Sequence, residues 1–320
     1  MERVMPSPAS GLSGETADGV RTATIIDGRG RAGKTTVANV FVQFCWERGA
    51  DLRVWNADRQ NETHSLSVFH PDAIRPPSDD PDDKGAWLEE SFDAQVRERF
   101  DSVLDLAGGD PLVRLLARET KLVPTLERRG IRTVLWQVLG PDVADLDYLK
   151  LSMEAGLFAP ATLLVLNAGL VRSKRSVQAV FAEVTGHKVF MDAVARGAQV
   201  VWFPALVCMK GVTERGLSFD EAKRGVIKPG QQRFAFFDQM RVEIFWERHI
   251  PAFSSKFRRI GCRRYVAGPR SRKVISNERP TKRQRSRGLA IGGFCQWRSA
   301  GCSSLGEGVR TASHRGESRC

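Results

Sequence analysis

A chain of 320 residues that is 42% apolar is long enough for one large α/β domain or two small ones, and apolar enough for a sizeable core. Its formal net charge of +12 sits at one end: residues 253–320 carry 17 Lys and Arg against 3 Asp and Glu, leaving the other 252 residues at −2. The first twenty residues lack an apolar stretch of secretory type, and the longest nearly uncharged run, 157–171, is too short for a span and is broken by Pro160 and Asn167. A chain without a membrane span, working in the cytoplasm, is the expectation.

In chain order, residues 1–20 are a Ser/Pro/Gly/Glu leader with nothing to build a core, expected to be disordered. A β-branched run at 22–26 predicts a strand. A helix over 35–48 follows, with Val37, Val40, Phe41, Phe44 and Cys45 on one face. Between them lies Gly28-Arg29-Gly30-Arg31-Ala32-Gly33-Lys34-Thr35-Thr36, which fits G-x-x-x-x-G-K-[ST]. Glycines let backbone N–H groups turn inward around a phosphate, and the helix N-terminus adds more donors. In this pattern Lys34 reaches the β- and γ-phosphates and the Thr35 hydroxyl holds Mg²⁺. Gly28, Gly30 and Gly33 also spell the dinucleotide fingerprint G-x-G-x-x-G, with Asp58 as its ribose acid. The Lys34-Thr35 pair favours a triphosphate; a dinucleotide oxidoreductase stays as an alternative.

A second strand at 52–56 runs into Asn56-Ala57-Asp58-Arg59-Gln60. In a doubly wound sheet its carboxyl end is expected beside the first strand, where Asp58 faces the γ-phosphate and orients a water. Residues 70–83, rich in Pro and Asp, read as an exposed loop. A helix at 87–100 precedes a strand at 102–106, in which Asp105 closes an apolar run before Gly108-Gly109 and suits Mg²⁺. Asp110-Pro111 starts a helix at 111–122, and Asp142 caps another at 143–156. Strands at 133–139, 162–166 and 199–203 alternate with helices at 176–184 and 189–196. A last helix at 232–248 carries an apolar stripe of Phe234, Phe237, Met240, Ile244 and Phe245, read as core-covering. Six short apolar strands separated by helices argue an α/β fold: a doubly wound, mostly parallel sheet with helices on both faces, over residues 21–252.

The three segments GRGRAGKTT, NADRQN and VLDLAGGD, in that order, resemble the ParA/MinD family of deviant-Walker P-loop ATPases, which includes MipZ-like division-site regulators and partition and conjugation relatives. The resemblance covers about residues 20–250. It implies a Mg²⁺-dependent ATPase, slow and partner-stimulated, that switches as an ATP-bound homodimer in partition, positioning or conjugation. It places the phosphates on Gly28–Thr36, Mg²⁺ on Thr35 and Asp105, and the attacking water on Asp58. The family's lysine after the first loop glycine, which reaches across the dimer, is Arg29 here. Its base-contacting Asn corresponds to Asn167, which is also a plain turn residue after a strand. An ATP-dependent small-molecule ligase or kinase on the same sheet is the alternative within P-loop proteins.

Arg172, Lys174, Arg175, Lys223, Arg224 and Lys228 read as a solvated face, with a non-specific DNA patch as the functional alternative. Residues 253–320 read either as a basic nucleic-acid arm or as shifted-frame text, and the abrupt change after Phe253 favours the second. Cys45 and Cys208 lie in apolar surroundings, as reduced buried cysteines do.

Overall fold

The structure, a computed structural model, describes residues 20–59 and 66–256. The 1–19 part of the leader, the end of the NADRQN segment and nearly all of the 253–320 tail lie outside them.

Six parallel strands form one sheet: β1 (Arg21–Asp27), β2 (Leu52–Asn56), β3 (Asp101–Asp105), β4 (Ile131–Leu139), β5 (Ala161–Asn167) and β6 (Gln199–Phe203). Their spatial order is β2-β3-β1-β4-β5-β6. The expectation that the second strand lies beside the first is therefore corrected, because β3 sits between them. The sequences explain the order. Every residue of β3 is buried, as an interior strand requires, whereas β2 exposes Arg53, which pairs with Glu98 at 2.8 Å. Such a strand suits an edge. The last strand, β6, alternates, with Val200 and Trp202 turned outward.

Helices cover both faces. On one, α1 (Lys34–Glu47), α12 (Phe236–Ile244) and α13 (Ile250–Ser254) enclose Ile26, Val37, Phe41, Trp136, Phe203 and Phe245. On the other, α3 (Pro81–Glu98), α4 (Leu112–Thr120) and α5 (Leu122–Arg128) enclose Ile25, Trp55, Leu104 and Leu135. Ile25 and Ile26 serve opposite cores because successive strand side chains alternate. A third cluster forms where α6 (Asp145–Glu154), α7 (Val177–Val180), α8 (Ala182–Gly186) and α9 (Lys188–Ala195) meet β4 and β5.

Helix boundaries follow local chemistry. Helix α3 starts six residues before its predicted place, because Asp80 accepts from the Asp82 amide at 2.9 Å and Pro81 opens the first turn. The single helix predicted at 111–122 is two. Lys121 takes φ 51° and Pro124 cannot donate to a preceding turn, so the chain breaks and restarts. Asp110 accepts from the Leu112 amide at 2.9 Å, as its capping role requires. The last predicted helix begins at Phe236 and widens into a π turn at Phe245–His249. The face turned to the core carries Val242, Phe245 and Trp246, while Phe237, Met240 and Ile244 face outward. The core-covering reading thus holds for two of the five residues of that stripe, Phe234 and Phe245. Helices α2 (Leu66–Phe69), α10 (Met209–Glu214), α11 (Phe219–Arg224) and α13 are too short to carry a periodic signal. In α13, Phe253 packs on Trp136 and Phe203, with ring centroids 6.1 and 5.4 Å away. A boundary after residue 252 cuts this helix, and the folded part carries on past it.

No described helix is long and apolar enough to cross a membrane.

Candidate functional site

Strand β1 delivers the glycine loop to the carboxyl edge at the centre of the sheet. Gly28 has φ 144°, and a Cβ there would lie 2.5 Å from the Val138 carbonyl oxygen of β4. Gly108, after β3, presses on Gly30 so closely that a Cβ would sit 2.7 Å from the Gly30 Cα. Gly33, at φ 91°, ends the loop, and the Asn167 amide fills the space its side chain would need. Arg31 takes φ 70° without being glycine, a strained loop position of the kind found at functional sites. Nothing in the sequence marks Arg31 beyond its place in the motif.

The first-turn amides of α1, from Lys34 to Thr36, have no intrahelical acceptor, as at any helix start. Lys34 is buried and donates from Nζ to the Arg29 carbonyl at 3.2 Å. Burial lowers its pKa, and the charges of Asp105, Asp27 and Asp58 oppose that shift.

Asp105 ends β3 level with Ile26, fully buried. Neither carboxylate oxygen has a partner of hydrogen-bonding geometry. Desolvation pushes its pKa up to about 7, with Lys34 and the Thr35 hydroxyl favouring the ionised form. A buried acceptor left without a donor is costly. The chemistry of this carboxylate beside the Thr35 hydroxyl suits a hydrated divalent cation.

Asn56, at the end of β2, donates to the Ser67 hydroxyl at 2.9 Å and accepts from the Asp58 amide at 3.1 Å. This Asx turn aims the chain after β2 back toward the loop. Asp58 therefore lines the same cavity as Lys34 although its strand lies two places from β1.

Arg29 and Asn167 are occupied within the chain. Arg29 donates to Asp142 at 2.6 Å and lies 3.6 Å from Asp145, and the Asp142 contact raises its pKa. Asn167 donates to the Ala32 carbonyl at 2.9 Å and accepts from the Gly169 amide at 3.0 Å. Both ends of the Asn167 side chain thus brace the glycine loop and its own turn.

A cavity of about 730 Å³ runs from the loop across the sheet's carboxyl edge. At one end stand Gly30, Gly33, Lys34, Thr35 and Thr36; at the other, Leu170, Pro204, Leu206, Val207 and Met209. Arg172 and Lys210 are cations on its wall. The later basic residues are neutralised locally: Lys223 and Arg224 pair with Asp220, and Lys228 with Glu221.

Sequence reasoning missed a buried ion pair beneath the loop. Asp27, the last residue of β1, accepts from the Gly28 amide at 2.7 Å, the Ser152 hydroxyl at 2.7 Å and Arg114 at 3.1 Å. Asp27 and Arg114 are 87 positions apart. Arg114 alone among the apolar positions of 112–117 carries a charge into the core, and that is the only trace the pair leaves in the sequence.

Strand, glycine loop, helix with Lys-Thr, and an acid on the neighbouring strand make this a P-loop nucleotide-hydrolase fold. No family model and no curated protein sequence matches the chain. Solved structures similar to it include the MinD cell division protein of Aquifex aeolicus, at 14% identity and TM-score 0.39, covering 70% of this chain and 96% of that one. The cell division protein FtsY of Thermotoga maritima is 14% identical at TM-score 0.37, covering 72% and 71%. The signal recognition particle receptor FtsY of Elizabethkingia anophelis, in complex with GDP, is 11% identical at TM-score 0.36, covering 72% and 64%.

Proposed function

We propose that the chain is a Mg²⁺-dependent ATPase of ParA/MinD type that switches as a nucleotide-bound homodimer in partition, positioning or conjugation. The observation that carries the hydrolase reading is the orphaned Asp105 carboxylate beside Lys34 and Thr35, at the phosphate end of the cavity. The loop amides and Lys34 hold the β- and γ-phosphates. Thr35 and Asp105 hold Mg²⁺, which draws charge off the phosphate oxygens when bound. Asp58 positions the attacking water and takes its proton. Adenine and ribose lie along the apolar far end. Arg29 serves the dimer only by leaving Asp142, so dimer formation carries the cost of an exposed ion pair. The partners in this reading are a second copy, a small stimulatory protein and non-specific DNA.

Two variants test it. Lys34→Ala lowers ATP affinity at least tenfold, about 1.4 kcal/mol. Asp58→Ala still binds ATP with Mg²⁺ but turns it over at least tenfold more slowly. Titrations with ATP and GTP, and mass in solution with a slowly hydrolysed ATP analogue, complete the test. Unchanged affinity in Lys34→Ala removes the phosphate-loop reading. A wild type that stays monomeric with the analogue bound removes the dimer and leaves the ligase or kinase in its place.

A further inference from the structure

The Asp27–Arg114 pair lies under two loops, and its geometry joins them. One Arg114 nitrogen, Nη1, sits 3.3 and 3.1 Å from the two carboxylate oxygens of Asp27, immediately before Gly28. The other, Nη2, points to the Gly109 carbonyl at 3.4 Å. Gly109 belongs to the turn that follows Asp105, and the neighbouring Gly108 is pressed against Gly30. Arg114 is itself on α4 and buried. The Gly109 turn is walled on its other side by Tyr148 of α6, whose hydroxyl would lie 3.1 Å from a Cβ at Gly109. A guanidinium is a planar fork with two arms fixed relative to each other. Movement of the Gly108–Gly109 turn therefore pulls on the same rigid group that anchors the end of β1.

We propose that Arg114 is a positioning residue: its two arms fix the turn after Asp105 to the base of the glycine loop, so that filling the loop with a triphosphate orders that turn and sets Asp105 for turnover. This deepens the hydrolase reading and rests on it. Asp27 anchors the arm that stays, and the Gly109 carbonyl is the contact that makes and breaks. Ser152 holds the same Asp27 carboxylate from α6 through its hydroxyl, on the arm that does not reach the Gly109 carbonyl, so it marks the structural share of the network.

Arg114→Lys separates the two arms, because a single ammonium cannot sit on Asp27 and reach the Gly109 carbonyl together. The experiment is amide hydrogen exchange with and without Mg²⁺ and a slowly hydrolysed ATP analogue, beside steady-state kinetics. In the wild type the analogue slows exchange in both 28–35 and 106–111. In Arg114→Lys protection of 28–35 persists and KM stays within threefold. Protection of 106–111 is lost and kcat falls about tenfold. Ser152→Ala lowers the melting temperature but keeps both protected segments. Wild-type protection and kcat in Arg114→Lys overturns the proposal, and so does loss of 106–111 protection in Ser152→Ala. The wild type alone also decides if Arg114→Lys does not fold. Protection of 28–35 without 106–111 overturns the link, protection of both upholds it, and protection of neither sinks the nucleotide reading itself.

Discussion

The two ends of the 730 Å³ cavity are built by different means. The phosphate end is made of backbone. Its glycines leave so little room that a single Cβ at Gly28 or Gly108 would meet another strand or loop at 2.5 or 2.7 Å. The far end is made of side chains on the loop after β6, where Val207 is 86% exposed and Leu206 only 8%. Cys208 beside them is buried, lies 3.7 Å from the Asp238 carbonyl, and has its thiol pushed up to about 11 by burial. A phosphate group has one shape and charge, and a closely packed loop exploits that. The far end offers apolar surface with few fixed donors, and so discriminates less. The contrast between a rigid end and a soft end can be broken by substitution.

The largest effect belongs to Gly28→Ala. The φ of 144° and the Val138 oxygen both oppose a side chain, so the variant loses about 3 kcal/mol of stability or fails to fold. Chemical denaturation measures it; a loss below about 1 kcal/mol would mean the loop yields.

Next comes a pH effect in the wall between the two ends. His70 is buried, its Nε2 3.0 Å from Asn39 Oδ1, and Asn39 lines the cavity. Burial pushes its pKa down to about 4, below the 6.5 of an unfolded histidine. The unfolded chain therefore binds the proton more readily. The neutral ring's contribution is complete above pH 6.5 and is lost as pH falls toward 4. Between pH 8 and pH 5 the loss is about 2 kcal/mol, to be read by denaturation of the wild type beside His70→Gln. Parallel curves for the two proteins would show that His70 is not the source.

The smallest effect is expected at the soft end. Val207→Ser removes an exposed apolar group, so stability is unchanged and ATP affinity moves by less than about threefold, roughly 0.5 kcal/mol. A tenfold loss by titration would show this end to be as exacting as the other.

The same contrast decides what was legible in the sequence. The phosphate end could be read because each residue there is the one type that its geometry allows: Gly28 for its φ, Lys34 for charge, Thr35 for a hydroxyl at a helix start, Asp105 for a carboxylate at a strand end. All six strands could be read as well, since a buried parallel strand is a short apolar run between turns. Strand order could not, because pairing is decided by how completely a strand can be buried, and β2 and β3 differ there by one charged residue, Arg53. Val207 and Met209 escaped notice because an apolar residue in a loop or at the start of a six-residue helix has no period to announce it. Asp27 and Arg114 escaped because their partnership spans five intervening elements. Phe237, Met240 and Ile244 do share a helical face, but spacing does not say which face is covered, and the one turned inward carries Val242, Phe245 and Trp246.

The sheet's two margins also differ. Outside β2, Ile74 exchanges backbone hydrogen bonds with it, accepting from the Asn56 amide at 2.9 Å and donating to the Val54 carbonyl at 2.8 Å. That stretch of chain seals one margin. At the other margin β6 has no further strand among the described residues, and it presents Val200 and Trp202 outward. An unpaired strand with apolar, β-forming side chains is a template for another chain. Of the two margins, β6 is the one open to pairing with another chain, and a charged residue at position 200 would disfavour that pairing without touching the nucleotide site.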